Sequence, residues 1–257
     1  LNVALLGGLV PAIGHSFTVI ESAGALTGSF GGNLSLPVLP AGRAWRITYN
    51  NAAPGSVVLD IVAPAVGFNP TNKDFGNVQV GVTSATSDIQ LTNTGLATLN
   101  LTSISLTDAD AAQFSIVAPT AGLNCVGVAS LPPGQSCNIG VRFTPASIGL
   151  KSAQISVVDD AVGSPHTVPL SGTGQVPFGV FGPPSPFDFG NQPVGLDSVQ
   201  RVVTVSNIGP GTTLTITAVA FGGTNPGEFI FANTNCTPVP VNLVFPAGIC
   251  TFAVTFH

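Results

Sequence analysis

The chain has 257 residues, enough for two or three domains of ordinary size. Only 7% of them are charged, against about 25% in a typical soluble domain. Six Lys and Arg, scattered along a chain of net charge −5, exclude a basic patch for nucleic acid, and no apolar run is long enough for a membrane-spanning helix. Charge repulsion is a main defence against association, so a polar but nearly uncharged surface suits packing against copies or neighbours. The alternative is a glycosylated or otherwise solvated secreted surface.

Residues 1–64 read as a small all-β unit. Phe17–Ile20 and Gly28–Phe30 are short strands. Trp45, Ile47 and Tyr49 alternate with Arg46 and Thr48 on a third, and Val57, Leu59 and Ile61 alternate on a fourth after the turn residues Asn50–Gly55. Gly14–Val19, Gly28–Phe30, Trp45–Tyr49 and Val57–Leu59 resemble the closing piece of β-helix passengers of bacterial autotransporter-like and adhesin-like proteins. That resemblance implies that Leu1–Leu6 form the last rung of a helix truncated upstream. The chain begins at Leu1 with no signal peptide in view, as a mature or excised piece would.

Ala63–Pro70 reads as a Pro- and Gly-rich linker, and residues 65–174 as one domain. It opens with Phe75–Gly95, FGNVQVGVTSATSDIQLTNTG, answered 114 residues later by Phe189–Gly209, FGNQPVGLDSVQRVVTVSNIG. A repeat of this length is a whole domain, since solenoid coils repeat at about 20–50 residues. Leu99, Leu101, Ile104 and Leu106 are answered by Leu214, Ile216, Val219 and Phe221, and Phe114 and Phe143 by Phe229 and Phe256. The alternation slips between Leu101 and Ile104, which predicts a β-bulge near Thr102–Ser103, and slips again between Ile216 and Val219. Asp108–Gln113 predicts a helical turn before the Phe114 strand, and Leu131–Gly134 a turn. Cys137, Ile139, Val141 and Phe143 share one face of a strand; Ala153, Ile155 and Val157 mark the next, Val168 and Leu170 the last. Short strands with turn punctuation over such a length predict an antiparallel β-sandwich.

Gln175–Phe187 reads as a semi-stiff Pro-rich linker. Residues 188–257 form the second copy, which lacks counterparts of Thr144–Gly174. Either the sequence belongs to a longer array or a strand from another molecule completes the fold. One cysteine pair falls in each repeat, Cys125 with Cys137 and Cys236 with Cys250, with no His nearby for zinc. The expectation is two intradomain disulfides and an oxidising compartment, against buried free thiols in a cytosolic protein.

The ordered motifs FGNVQVG, LTNTG, the Phe114 strand, Cys125, LPPGQSC, VRFTP and VPLSGTG resemble the ASH-type immunoglobulin-like domain, called choice-of-anchor D in bacterial proteins. The resemblance covers residues 71–257. The fold class expected is all-β, with tandem immunoglobulin-like sandwiches behind the small N-terminal unit and the second sandwich incomplete.

Candidates for chemistry are few. His166 sits in a hairpin, Asp159–Asp160 lead into its turn, and Asp108-x-Asp110 lacks the Gly and distal Glu of a calcium loop. No catalytic residue, cofactor or metal site is expected. Asn33, Asn100 and Asn235 begin triplets of the N-glycosylation pattern that arise readily by chance in such a composition. Phe178, Phe181, Phe187 and Phe189 form a candidate interaction patch. The function expected is that of a non-enzymatic, extracellular stalk, filament or surface-layer component whose partners are copies of itself or neighbouring domains. The alternative is an adhesin-type module that recognises a glycan or protein. A ciliary adaptor follows only from the eukaryotic branch of the resemblance.

Overall fold

A computed structural model describes residues 3–4, 10–30, 35–183, 186–232 and 234–257. The expected rung over Leu1–Leu6 falls mostly outside these residues, as does Asn33. The chain divides into two compact units. The first joins Leu1–Lys73, Ala85–Arg142 and Ser152–Leu170; the second joins Asp74–Ser84, Phe143–Lys151 and Ser171–His257.

Within the first unit, β1 (Ser16–Ser22), β2 (Ala44–Asn50) and β3 (Gly55–Val62) form an antiparallel sheet in the order β1-β3-β2. Alternation places Val57, Leu59 and Ile61 on a buried face, where the Trp45 indole N–H donates to the Pro37 carbonyl at 2.8 Å. On the opposite face Asp60 accepts from Ser16, Arg46 and Thr48. These bonds, led by that from Ser16, hold its carboxyl below the usual carboxylate range. The strand expected at Gly28–Phe30 does not form. Gly28 takes a left-handed φ of 90°, and the Phe30 amide donates to the Tyr49 hydroxyl instead of a ladder.

Nine strands build the first repeat: β4 (Val66–Asn69), β5 (Lys73–Gln79), β6 (Ser87–Asn93), β7 (Leu99–Thr107), β8 (Phe114–Val117), β9 (Ser130–Leu131), β10 (Ser136–Phe143), β11 (Gly149–Asp159) and β12 (His166–Gln175). They lie in two sheets, β4-β6-β10-β8 and β5-β12-β11-β7-β9. Ile89, Leu91, Leu99, Ile139, Ile155 and Val157 are fully buried, each worth about 1.5–3 kcal/mol relative to exposure. The expected helical turn is a single 3-10 turn at Ala111–Gln113. The predicted bulge is present: Val158 faces Ser103 and Asp159 faces Leu101, leaving Thr102 without an opposite residue. Val66–Asn69, expected as linker, is strand β4 on β6. Its four residues are too short to show a period beside the prolines.

The second repeat carries β13 (Gly179–Gly182), β14 (Arg201–Asn207), β15 (Thr213–Ile216), β16 (Phe229–Ala232), β17 (Val241–Val244) and β18 (Ile249–Phe256). Their sheets run β13-β14-β18-β16 and β15-β17. Strand β13 occupies part of the expected linker, paired with β14 as β4 is with β6. The first sheet thus repeats its four-stranded counterpart, whereas the second has two strands among the described residues where the first repeat has five. Phe189–Pro193, the counterpart of β5, is not a strand. In the first repeat β5 pairs with β12, and among the described residues no strand pairs with Phe189–Pro193. The slip expected after Ile216 is not a bulge, because β15 ends there and Val219 packs as a loop residue on the core of Val205, Cys236, Leu243 and Cys250. The turn at Gly211 abuts the β5 segment, where the Thr213 amide donates to the Gln79 side chain at 2.9 Å.

Candidate functional site

The groups that most resemble a catalytic set are Asp159, Ser164 and His166, which the β11–β12 hairpin brings together. His166 Nδ1 lies 2.9 Å from Asp159 Oδ2. Ser164 Oγ, however, accepts the backbone N–H of Asp159 at 2.9 Å, and the other Asp159 oxygen accepts the Ala161 amide. No nucleophile meets a base in this set; its bonds close a turn. Asp160 is held by the Asn100 amide and side chain at 2.8 and 2.6 Å. Asp110 accepts from the Ser152 amide and from Gln113, while Asp108 adopts a left-handed φ of 77°. Among the described residues no group of three His, Cys, Asp or Glu is placed to hold a metal ion.

The cysteines pair within each repeat, Cys125 with Cys137 and Cys236 with Cys250. All four are buried, and each bridge ties a loop to the strand beside it, β10 or β18.

The phenylalanines of the candidate patch do not share one environment. Phe189 is half-buried and packs on Phe229 and Phe256 at ring distances of 5.8 and 6.3 Å. Phe187 is also half-buried, while Phe178 and Phe181 are 60% and 65% exposed. Register explains Phe181. It stands opposite Val205, whose side chain faces the core, as Phe68 stands opposite the buried Leu91 in the first repeat. Phe68 is half-buried in its five-on-four-stranded sandwich. Phe181 occupies the same row and is the more exposed of the two. Elsewhere in this repeat, Phe221 stacks on Phe231 at 3.8 Å, and Phe231 meets Phe252 edge-on at 5.5 Å.

The pair that sequence reasoning left unexplained is Asn93 and Asn207, the asparagines of LTNTG and VSNIG. Both are fully buried. The Asn93 amide donates to the carbonyls of Ala97 and Leu131 at 2.8 and 2.9 Å, and its oxygen accepts the amides of Gly95 and Ala65 at 3.0 and 3.4 Å. Asn207 repeats the pattern with Thr212, Leu243, Gly209 and Phe178. Each asparagine pins the entering strand, the following turn and the β9 or β17 strand in one network. The glycine two residues later is needed for close approach, since a Cβ on Gly95 would lie 2.4 Å from the Ala63 carbonyl. The signal was in view, an identical Asn-x-Gly in both copies, but spacing alone does not show a side chain turned inward.

Comparison with known proteins gives one family match: the domain described as Cep192 domain 4 matches residues 63–175, less than half of the chain. No curated protein matches. Among solved structures, the ASH/PapD-like domain 7 of human CEP192 is 17% identical with a TM-score of 0.28, covering 42% of this chain and 84% of its own. A Porphyromonas gingivalis W83 protein of unknown function is 16% identical, covers 55% of this chain and 70% of its own, and has a TM-score of 0.34. The secreted serine protease VesC from Vibrio cholerae is 12% identical at a TM-score of 0.32, over 83% of this chain and 53% of its own. Residues 63–175 are thus similar to Cep192 domain 4, and they form an immunoglobulin-like β-sandwich.

Proposed function

We propose that this chain is a non-enzymatic structural module of an extracellular or cell-surface assembly, built to pack against copies of itself or neighbouring domains. The observation that carries the reading is the run of exposed apolar side chains at Phe178, Val180 and Phe181, at and beside strand β13. There Phe181 stands 65% exposed in the row that Phe68 occupies in the first repeat. Exposed apolar surface of this kind, on a chain with 7% charged residues, favours association through sandwich packing or added strands. The paired cysteines support an oxidising compartment, and no helix of the described residues is long and apolar enough to cross a membrane. The resemblance of the repeats to choice-of-anchor D domains supports a bacterial surface setting.

The test is electron microscopy of material purified from its native source. Regular filaments or lattices whose spacing fits this chain are the expected result. Dispersed monomers with reduced thiols would sink the proposal. The exposure of Phe178 and Phe181 favours a second reading, an adhesin-type module, which predicts glycan-array binding that disappears when both are changed to Ala.

A further inference from the structure

Strand β7 is nine residues long, yet β9 covers only its first two, pairing Leu131 with Leu99 and Ser130 with Asn100. One more contact follows, the Leu101 amide to the Ala129 carbonyl at 2.9 Å. From Thr102 to Thr107 no strand among the described residues pairs this side of β7; its other side is bound to β11. A cleft of ≈ 420 Å³ lies alongside, between Leu101–Ile104 and the disulfide loop, where Val126 is 52% exposed.

Edges of this length are ordinarily blunted by Lys, Pro or an inward charge. Leu99–Thr107, LNLTSISLT, carries none of these. The bulge at Thr102 guards one end, but Ser103–Thr107 run in unbroken register against β11. The segment is also self-complementary. Placed antiparallel against itself about Ser105, it sets Ser103 opposite Thr107 and Ile104 opposite Leu106, so polar meets polar and apolar meets apolar. A two-fold contact of this type closes on itself and needs no second kind of surface.

We propose that the free edge of β7 is a homotypic docking edge, where a second copy of this chain adds its own β7 antiparallel about Ser105. This rests on the reading of the chain as a self-associating module, and it names the surface. Five paired residues fall short of the roughly 1,000 Å² that a stable interface needs. A single contact is therefore weak and gains strength by repetition along an assembly.

The test is sedimentation equilibrium of the whole chain at high concentration, for the natural sequence, Ser105→Lys, Ser105→Asp and an equimolar mixture of the two variants. Ser105 is exposed, and unchanged denaturation midpoints confirm that both variants fold. The natural chain is expected to dimerise reversibly, with each variant losing at least tenfold in association constant because like charges meet at the dyad. The mixture, which pairs Lys with Asp, is expected to recover it. Association that persists equally in both variants overturns the edge assignment and leaves the structural reading standing. Loss in both without recovery in the mixture overturns the register about Ser105. A natural chain that stays monomeric overturns the edge and the self-association reading together.

Discussion

Asn93→Ala is the most incisive test of how these sandwiches are held. The substitution removes three good hydrogen bonds, to Ala97, Leu131 and Gly95, and one longer bond to Ala65. At about 1 kcal/mol net for each good bond, the lost pairing alone comes to about 3 kcal/mol. A buried carbonyl left without a donor costs about 1–3 kcal/mol when water cannot reach it, which raises the expected loss to about 4–6 kcal/mol. Whole domains are stable by about 5–15 kcal/mol, so the midpoint of thermal unfolding should fall by about 15 °C or more. Urea titration followed by circular dichroism reads the difference directly. Asn93→Asp adds a signature of sign. A carboxylate there would face the Ala97 and Leu131 carbonyl oxygens, so its folded pKa would be raised, and the deficit should be largest above that pKa and shrink as pH falls through it. A loss below about 1 kcal/mol in Asn93→Ala would refute the hub, because exposed turn asparagines cost no more than that.

Three further outcomes follow from particular contacts. Replacing both Cys125 and Cys137 by Ala should lower stability by about 3 kcal/mol through the freed loop, with a similar loss for Cys236 and Cys250; an unchanged urea midpoint would contradict a structural role. Burial raises the Asp88 carboxyl, but bonds from Thr120 and Ala121 outweigh it and hold the pKa below the usual carboxylate range. Its contribution is therefore present above the ordinary carboxylate pKa and lost as pH falls through the folded value, so Asp88→Asn should flatten the acid limb of the urea midpoint, and an equal slope would count against it. Phe68→Ser should cost about 2 kcal/mol while Phe181→Ser costs under about 0.5 kcal/mol in dilute solution, because the two rings share a register but differ in cover. Equal losses in urea titrations would mean that the two rings do not differ in cover.

Much of the candidate surface was legible for a simple reason. Alternation reports which side chains face inward on long strands, so β3, β10 and β11 could be read from Val57–Ile61, Cys137–Phe143 and Ala153–Val157. The bulge at Thr102 was legible too, since an extra residue shifts the phase. Strands β4 and β13 were not. Val66–Asn69 and Gly179–Gly182 each span four residues with glycine at one or two positions, so neither shows a period, and neighbouring prolines suggest a linker. The candidate patch divided because, of four phenylalanines close in sequence, Phe189 packs in a ring cluster while Phe181 lies on the edge strand β13.

By itself the sequence determined that the chain is a β-rich tandem array, because a domain-length repeat carries its own turns, cysteines and alternation. It also determined which cysteines could pair, since each pair lies within one repeat. Only the tertiary structure decided what the repeated asparagine does, because its partners come from the entering strand, the next turn and a strand 38 residues away. It alone decided that Phe181 is exposed and that Thr102–Thr107 of β7 have one edge unpaired among the described residues. Burial and edge exposure depend on which strands lie alongside, and neighbours distant in the chain are set by packing rather than by local pattern.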